Sequence, residues 1–288
     1  MMRTLIRSLI TLGIVAVAIA AGLWLWHYYL FTPWTRDGRV RAEVVTIAAD
    51  VSGRVVALPI ADNQQVAKGE TLFRIDDTRY RTALKQAQAV VEQRQAELEL
   101  SRHEASRRNR LSRQAISAES QETARINSQV ATARLKQARS SLESARTDLE
   151  RTTVEAPVAG QVLNLQLAEG NHVNAGNPVM ALVKADSFYV TGYFEETKTP
   201  SIQTGDPARV ILMSGDTELR GHVASIGGGI ADRNASTNEQ LLPQVEPTFS
   251  WVRLAQRIPV RIALDEVPEG ITLSAGMTAT VRITDDAE

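Results

Sequence analysis

Two stretches, YRTALKQAQAVVEQRQAELELSRHEA (residues 80–105) and ARINSQVATARLKQARSSLESARTDL (residues 124–149), decide how this chain is read. In the first, Tyr80, Leu84, Ala87, Val91, Arg94, Leu98, Ser101 and Ala105 recur at alternating spacings of four and three. In the second, Ala124, Ser128, Ala131, Leu135, Ala138, Leu142, Ala145 and Leu149 do the same. That alternation is the seam of a coiled coil, and only Arg94, Ser101 and Ser128 break its apolar run. From Glu70 to Ala156 there is no glycine or proline, although the chain has 17 and 10 of them. Residues 112–117, Ser-Arg-Gln-Ala-Ile-Ser, interrupt the heptads. The spacing therefore predicts two long helices folded back on each other, each about 50 Å long at 1.5 Å per residue.

The sequence on either side of this rod repeats itself. Residues 44–76 and 151–183 align at a constant offset of 107. Thr46, Ala49, Gly53, Val55, Leu58, Ala61, Val66 and Gly69 match Thr153, Ala156, Gly160, Val162, Leu165, Ala168, Val173 and Gly176. Alternating apolar positions such as Val51, Gly53 and Val55 read as strands. Asp62-Asn63 and Glu169-Gly170 fall where a tight turn belongs. Gly69 and Gly176 read as turn positions needing positive φ. One 33-residue half is too short to close a core. Two halves together make one small sandwich, and the rod is an insertion between them. Its two ends must then lie side by side, as an antiparallel hairpin also requires.

The amino terminus is of another kind. Ser8 to Thr35 is a run of 28 residues without a charged side chain, long enough for a membrane-spanning helix. Arg3 and Arg7 precede it, which places the amino terminus in the cytoplasm. Trp24, Trp26, Tyr28, Tyr29 and Trp34 gather at its far end, as rings do at a bilayer interface. Ala18-Ile19-Ala20 resembles a cleavage site, but the apolar run continues through Phe31. The expectation is an uncleaved anchor, ended by Pro33, with the rest of the chain exported.

Beyond the second half, short strands are expected at Ser187–Phe194, 208–213, 219–226, 258–264 and 277–283, with Gly205-Asp206, Ser214-Gly215-Asp216 and Glu269-Gly270 as turns. Short, evenly spaced strands predict a small antiparallel barrel, joined by a strand from residues 39–46. Gly227 to Phe249 reads as a long loop.

Composition excludes several functions. A formal charge of −1 gives no global attraction to nucleic acid. The charge is uneven: residues 77–151 hold 15 Lys and Arg against 10 acids, and residues 185–288 hold 8 against 15. The absence of cysteine rules out disulfides and thiolate metal sites. His27, His103, His172 and His222 fall in different predicted elements, and the five methionines are dispersed, so no metal centre is expected. The Gly227-Gly228-Gly229 run lacks the lysine of a phosphate loop. Asp76-Asp77 reads as a helix cap, with Asp77 as N-cap of a helix starting at Thr78. No catalytic residues and no cofactor are expected.

The runs Val51-Ser52-Gly53-Arg54-Val55 and Val66-Ala67-Lys68-Gly69-Glu70-Thr71-Leu72, with Ala156-Pro157-Val158-Ala159-Gly160-Gln161-Val162 and Val173-Asn174-Ala175-Gly176, resemble a split lipoyl (biotinyl-type) domain. A split domain holding a coiled-coil insert resembles the HlyD-like periplasmic adaptor, or membrane fusion protein, family. Thr32-Pro33-Trp34-Thr35-Arg36-Asp37-Gly38-Arg39-Val40 and Gln256-Arg257-Ile258-Pro259-Val260-Arg261-Ile262 are similar to its p-hydroxybenzoic (aromatic) acid efflux group. Carriers of the lipoyl fold bear their cofactor on a lysine between the halves. Here that segment is Ile75-Asp76-Asp77-Thr78-Arg79, so a biotin or lipoate carrier is disfavoured.

The resemblance implies a mixed α+β, elongated chain in six segments. These are a transmembrane anchor (1–35), a linker and barrel strand (36–47), a first lipoyl-like half (48–76), the hairpin (77–152), a second half (153–184) and a β-barrel (185–288). It implies a non-enzymatic adaptor in a Gram-negative inner membrane, single-pass, with its bulk in the periplasm. The expected partners are an inner-membrane transporter of the major-facilitator or aromatic-acid-exporter type, a TolC-like outer-membrane channel, membrane lipid at the anchor, and further copies of the chain as a hexamer. The exported compound would be a small aromatic acid or drug. A protein-secretion adaptor is the alternative, although its hairpin is normally much longer. In this family an arginine–leucine–serine motif at the hairpin tip docks on the channel. Arg107, Leu111 and Ser117 are the nearest equivalents, with Arg108 or Arg110 as alternative arginines because the register departs by about one residue from the family spacing.

Overall fold

The computed structural model describes residues 11–22, 32–110, 118–215, 218–230, 255–268 and 270–284. These residues divide into two compact units, Val44–Ala185 and a second made from the two ends of the chain.

The first unit contains the repeat. Its strands are β2 (Val44–Ala48), β3 (Gly53–Ala57), β4 (Gln65–Val66) and β5 (Thr71–Ile75), then β6 (Thr153–Glu155), β7 (Gly160–Leu163), β8 (His172–Val173) and β9 (Pro178–Lys184). They form two four-stranded sheets, ordered β2-β9-β7-β4 and β6-β5-β3-β8. Adding or subtracting the offset of 107 converts one order into the other, so each sheet takes strands from both halves. The register obeys the same rule. Thr46 faces Ala181 as Thr153 faces Arg74, and Gly53 faces Val173 as Gly160 faces Val66.

Turn chemistry repeats too. The Leu58 N–H donates to Glu169 Oε1 at 3.2 Å, and the Leu165 N–H to Asp62 Oδ1 at 3.1 Å. The Gly69 N–H reaches the Ala156 carbonyl and the Gly176 N–H the Ala49 carbonyl, at 2.8 and 2.9 Å. Both glycines have positive φ, 83° and 80°, as the turns require. Leu72, Phe73, Val162 and Leu182 are fully buried between the sheets. Each such side chain contributes roughly 1.5–3 kcal/mol through burial.

After a first helix, α1, at residues 11–22, helices α2 (Thr78–Arg110) and α3 (Ala118–Glu150) leave this sandwich side by side. A helix of 33 residues spans about 50 Å. Every described residue of the two 4-3 series is buried or half-buried, whereas most of their neighbours are exposed. Arg94 lies in the seam, where its guanidinium binds Glu97 at 2.7 and 2.9 Å. This pairing keeps a charged seam position from being an orphan. At the base, Tyr80 packs into the sandwich core and donates from its hydroxyl to the Ser52 carbonyl at 2.7 Å. The Ile75 N–H donates to the Thr152 carbonyl at 2.8 Å, tying the entry of α2 to the exit of α3.

The start of α2 departs from expectation in one detail. The Asp77 carbonyl accepts the Arg81 N–H at 2.8 Å, but the Asp77 carboxylate turns to the Arg81 guanidinium. The carboxylate that caps the helix is Asp76, which accepts the Thr78 N–H at 3.0 Å. Hydrogen bonds from the Thr78 side chain and backbone, with Arg54 nearby, hold the Asp76 carboxyl below its ordinary range. Arg94 does the same for Glu97, and Arg125 for Glu122, through side-chain hydrogen bonds. A carboxyl with a depressed folded pKa adds stability above its unfolded pKa, about 4. That stability is lost as pH falls through the lower folded value. The hairpin is therefore expected to lose thermal stability below about pH 4, and Asp76→Asn to flatten that dependence. Melting curves at stepped pH check this, and identical slopes for Asp76→Asn and the parent would contradict it.

The second unit is a closed barrel ordered β1-β10-β13-β12-β11-β14. Its strands are β1 (Trp34–Arg41), β10 (Tyr189–Glu195), β11 (Pro207–Leu212), β12 (Glu218–Ile226), β13 (Arg257–Glu266) and β14 (Thr278–Ile283). Val40, Val190, Phe194, Val210, Val223, Val260, Ile262 and Val281 fill it, all fully buried. The expected strand from residues 39–46 is divided. Residues 34–41 join the barrel, whereas Val44–Ala48 pair with β9 in the sandwich. The repeat explains the division, because Val44–Ala48 is the counterpart of β6.

Residues 11–22 of the expected anchor are helical, with Leu12, Ile14 and Val17 exposed. Among the described residues no helix is long and apolar enough to cross a membrane. The rest of the uncharged run up to Phe31, and most of the expected loop at 227–249, lie outside the described residues.

Candidate functional site

The end of the hairpin is built by the last turns of α2 and the first of α3. Three arginines, Arg107, Arg108 and Arg110, occupy the last turn of α2. Cations are favourable there because the carbonyls of a helix carboxyl terminus carry partial negative charge.

The three differ in what they do. Arg108 is half-buried and donates from Nη1 to the Ser120 carbonyl at 3.2 Å. Gln121 answers from Nε2 to the Arg108 carbonyl at 3.4 Å. This reciprocal pair crosses the seam and fixes the register of the helices. Arg107 is exposed. Arg110 is also exposed and donates to Ser106 Oγ within its own helix, at 3.3 Å. Leu111 and Ser117 lie outside the described residues.

The roles of Arg108 and Gln121 were missed in the sequence, although a signal was present. One more step of three from Ala105 reaches Arg108, and one step back from Ala124 reaches Gln121. Both continue the seam with polar residues, and the apolar criterion stopped short of them.

The segment where a carrier of this fold would hold its cofactor is Ile75–Arg79, the entry to α2. It is filled by the cap at Asp76 and by Arg79, whose guanidinium donates to the Ser52 carbonyl at 2.6 Å and lies 4.6 Å from the Tyr80 ring centre. It contains no lysine. Among the described residues no group of three His, Asp or Glu side chains is placed to hold a metal ion. His222 instead pairs with Asp265 at 2.7 Å on the barrel surface.

Comparison with known proteins agrees with this division of the chain. Residues 78–150 match the model of the pHBA AAEA subunit α-helical hairpin domain, and residues 187–284 match the AAEA-like β-barrel domain. The uncharacterized protein YdhJ of Escherichia coli (strain K12) is 45% identical over 278 residues, covering 96% of this chain and 98% of YdhJ. Among solved structures, MacA from Actinobacillus actinomycetemcomitans superposes with a TM-score of 0.67 at 21% identity, covering 89% of this chain and 83% of MacA. The membrane fusion protein Spr0693 from Streptococcus pneumoniae R6 gives 0.62 at 15% identity, covering 87% of this chain and 98% of Spr0693. The two structures share the fold. The hairpin and barrel models, with the near full-length match to YdhJ, show that the chain belongs to the AAEA-like periplasmic adaptor (membrane fusion protein) family, whose members are transport components and not enzymes.

Proposed function

We propose that this protein is the adaptor of a tripartite efflux system. In this reading the apolar run from Ser8 to Phe31 anchors it in the inner membrane, with Trp34 and Thr35, expected at the end of the anchor, instead belonging to barrel strand β1, and its bulk lies in the periplasm. The barrel contacts an inner-membrane transporter of the major-facilitator or aromatic-acid-exporter type. The hairpin reaches a TolC-like outer-membrane channel, and six copies assemble side by side. The exported compound is a small aromatic acid or drug.

One observation carries the reading. At the turn where a carrier of this fold would hold a swinging cofactor arm, the chain inserts a rigid rod about 50 Å long. Its function is reach, and reach requires something to touch at the far end. Arg107 and Arg110 are the exposed guanidiniums there and suit carboxylates or carbonyls of a channel rim. Leu111 and Ser117 complete the proposed docking tip. Arg108 serves it indirectly, by holding α2 against α3.

Reversing both exposed charges, Arg107→Glu with Arg110→Glu, removes two charge-assisted contacts and adds repulsion. The expected loss of channel affinity is about a hundredfold, from roughly 1.5 kcal/mol for each of the two contacts, read as loss of co-purification. The register bond of Arg108 is left in place, so the circular dichroism of the hairpin is expected to stay unchanged. Undiminished co-purification and export in that variant would overturn the docking role.

A further inference from the structure

The outer surface of the barrel contains a face of a different kind from the rest of its unit. Along β1, β10 and β13, residues alternate between the core and the outside. Strand register sets Arg39 beside Thr191 and Thr191 beside Arg261, and Arg41 beside Tyr189. Thr191 points outward yet is only 9% exposed, flanked by the two arginines.

Two of the cations on this face, Arg41 and Arg261, are held by tyrosines and not by acids among the described residues. The Arg261 guanidinium lies 3.9 Å from the centre of the Tyr189 ring. Arg41 donates from Nη2 to the Tyr193 hydroxyl at 3.0 Å. Asp37 binds Arg257 and lies 3.8 Å from Arg39; Glu195 on β10 is a second acid, and Asp265 and Glu266 stand at the far end of β13, where Asp265 pairs with His222. Among the described residues, β1, β10 and β13 thus carry five arginines (Arg36, Arg39, Arg41, Arg257 and Arg261) and four acids (Asp37, Glu195, Asp265 and Glu266), within a carboxyl-terminal region where acids exceed bases by 15 to 8. At the start of β1, the Trp34 ring sits between Arg36 at 5.4 Å and Lys198 at 5.2 Å.

The position of this face along the chain selects its partner. The uncharged run ends at Thr35. Arg39 and Arg41 follow by four and six residues, so at most about 20 Å of extended chain separates them from the end of that run. If the run from Ser8 to Phe31 anchors the chain as proposed above, the face is tethered beside a bilayer surface. Mixed aromatic and cationic side chains suit that zone, and arginine binds phosphate oxygens bidentately.

We propose that the outer face of β1, β10 and β13 seats on the membrane surface, with Arg39, Arg41 and Arg261 binding the phosphodiester groups of anionic phospholipids. The proposal rests on the anchor reading.

The test uses the full chain in nanodiscs of phosphatidylcholine alone or with about one-third phosphatidylglycerol. Arginine modification by phenylglyoxal is followed residue by residue by mass spectrometry. Arg39, Arg41 and Arg261 are expected to react at least about threefold more slowly in the anionic discs, with protection lost near 0.5 M salt. Arg209 and Arg282, exposed on β11 and β14, are expected to react equally in both. Equal rates at all five arginines, with the chain in the discs, would overturn the lipid face and leave the anchor standing. A chain that does not enter the discs would overturn the anchor and the proposal with it. Protection seen in native membranes but in neither disc would assign the face to a protein partner, and overturn it as well.

Discussion

Gly160→Ala is expected to destabilise the sandwich by about 3 kcal/mol, the upper part of the range for forced overpacking. A Cβ at this position would lie 2.1 Å from the Val183 carbonyl oxygen and 3.1 Å from Lys184 Cα. Both belong to the backbone of β9, which pairs with β7 at this point. Backbone cannot rotate out of the way, so the two strands must part. The repeat supplies an internal control. At Gly53, the counterpart of Gly160, an added Cβ would meet only Ile75 Cγ2, at 2.5 Å. Ile75 is β-branched and buried, so its methyl shifts only with a χ1 adjustment, but it is side chain and not strand backbone, and Gly53→Ala is expected to cost less, about 2 kcal/mol. Denaturant titration, with amide exchange in β7 and β9 as the local probe, separates the two. Equal losses would mean that the strands relax around Gly160 in a way this geometry does not allow.

Leu98→Ala carries the second large effect. Leu98 is 2% exposed and packs on Ala131 and Leu135, with Val91 beside it. The facing alanine is too small to fill a cavity, so the loss is expected near 3 kcal/mol, within the usual range for a buried leucine. Where it falls matters more than its size. The two-helix seam has no third layer, so the region from Leu98 to the tip and back to Ala131 should fray while the sandwich stays closed. Amide exchange is expected to accelerate in residues 98–110 and 118–131 and to stay unchanged in β3, β5, β7 and β9. Uniform acceleration across the unit would contradict a hairpin that opens separately from its base.

These two sites also mark what the sequence could and could not show. The hairpin was legible because its evidence is local: a 4-3 spacing sustained over 26 residues needs no knowledge of the partner. The repeat was legible for the same reason, and together they placed the insertion. The interleaving of strands was not legible. Nothing in the alignment of Val44–Ala48 with Thr153–Glu155 says that each pairs with a strand of the opposite half, because sheet pairing is non-local. The split at Ala42-Glu43 was missed likewise, since both flanking segments alternate as strands do.

At the tip the limit was the apolar criterion. Arg108 and Gln121 occupy seam positions with polar side chains, and only the structure shows the crossed hydrogen bonds that suit them to the place. The barrel face was hidden by a similar averaging. Residues 185–288 carry a surplus of acids, and strand register was needed to show that Arg257 and Arg261 join Arg39 and Arg41 from 200 residues away.

What the far end of the rod touches decides its function. The most direct measurement places a photo-crosslinking residue at Arg110 of the full chain in a Gram-negative envelope and identifies the adduct by mass spectrometry. An adduct with an outer-membrane channel protein is expected, lost when Leu98→Ala frays the hairpin. Adducts only with other copies of this chain, or none with any outer-membrane protein, would contradict it.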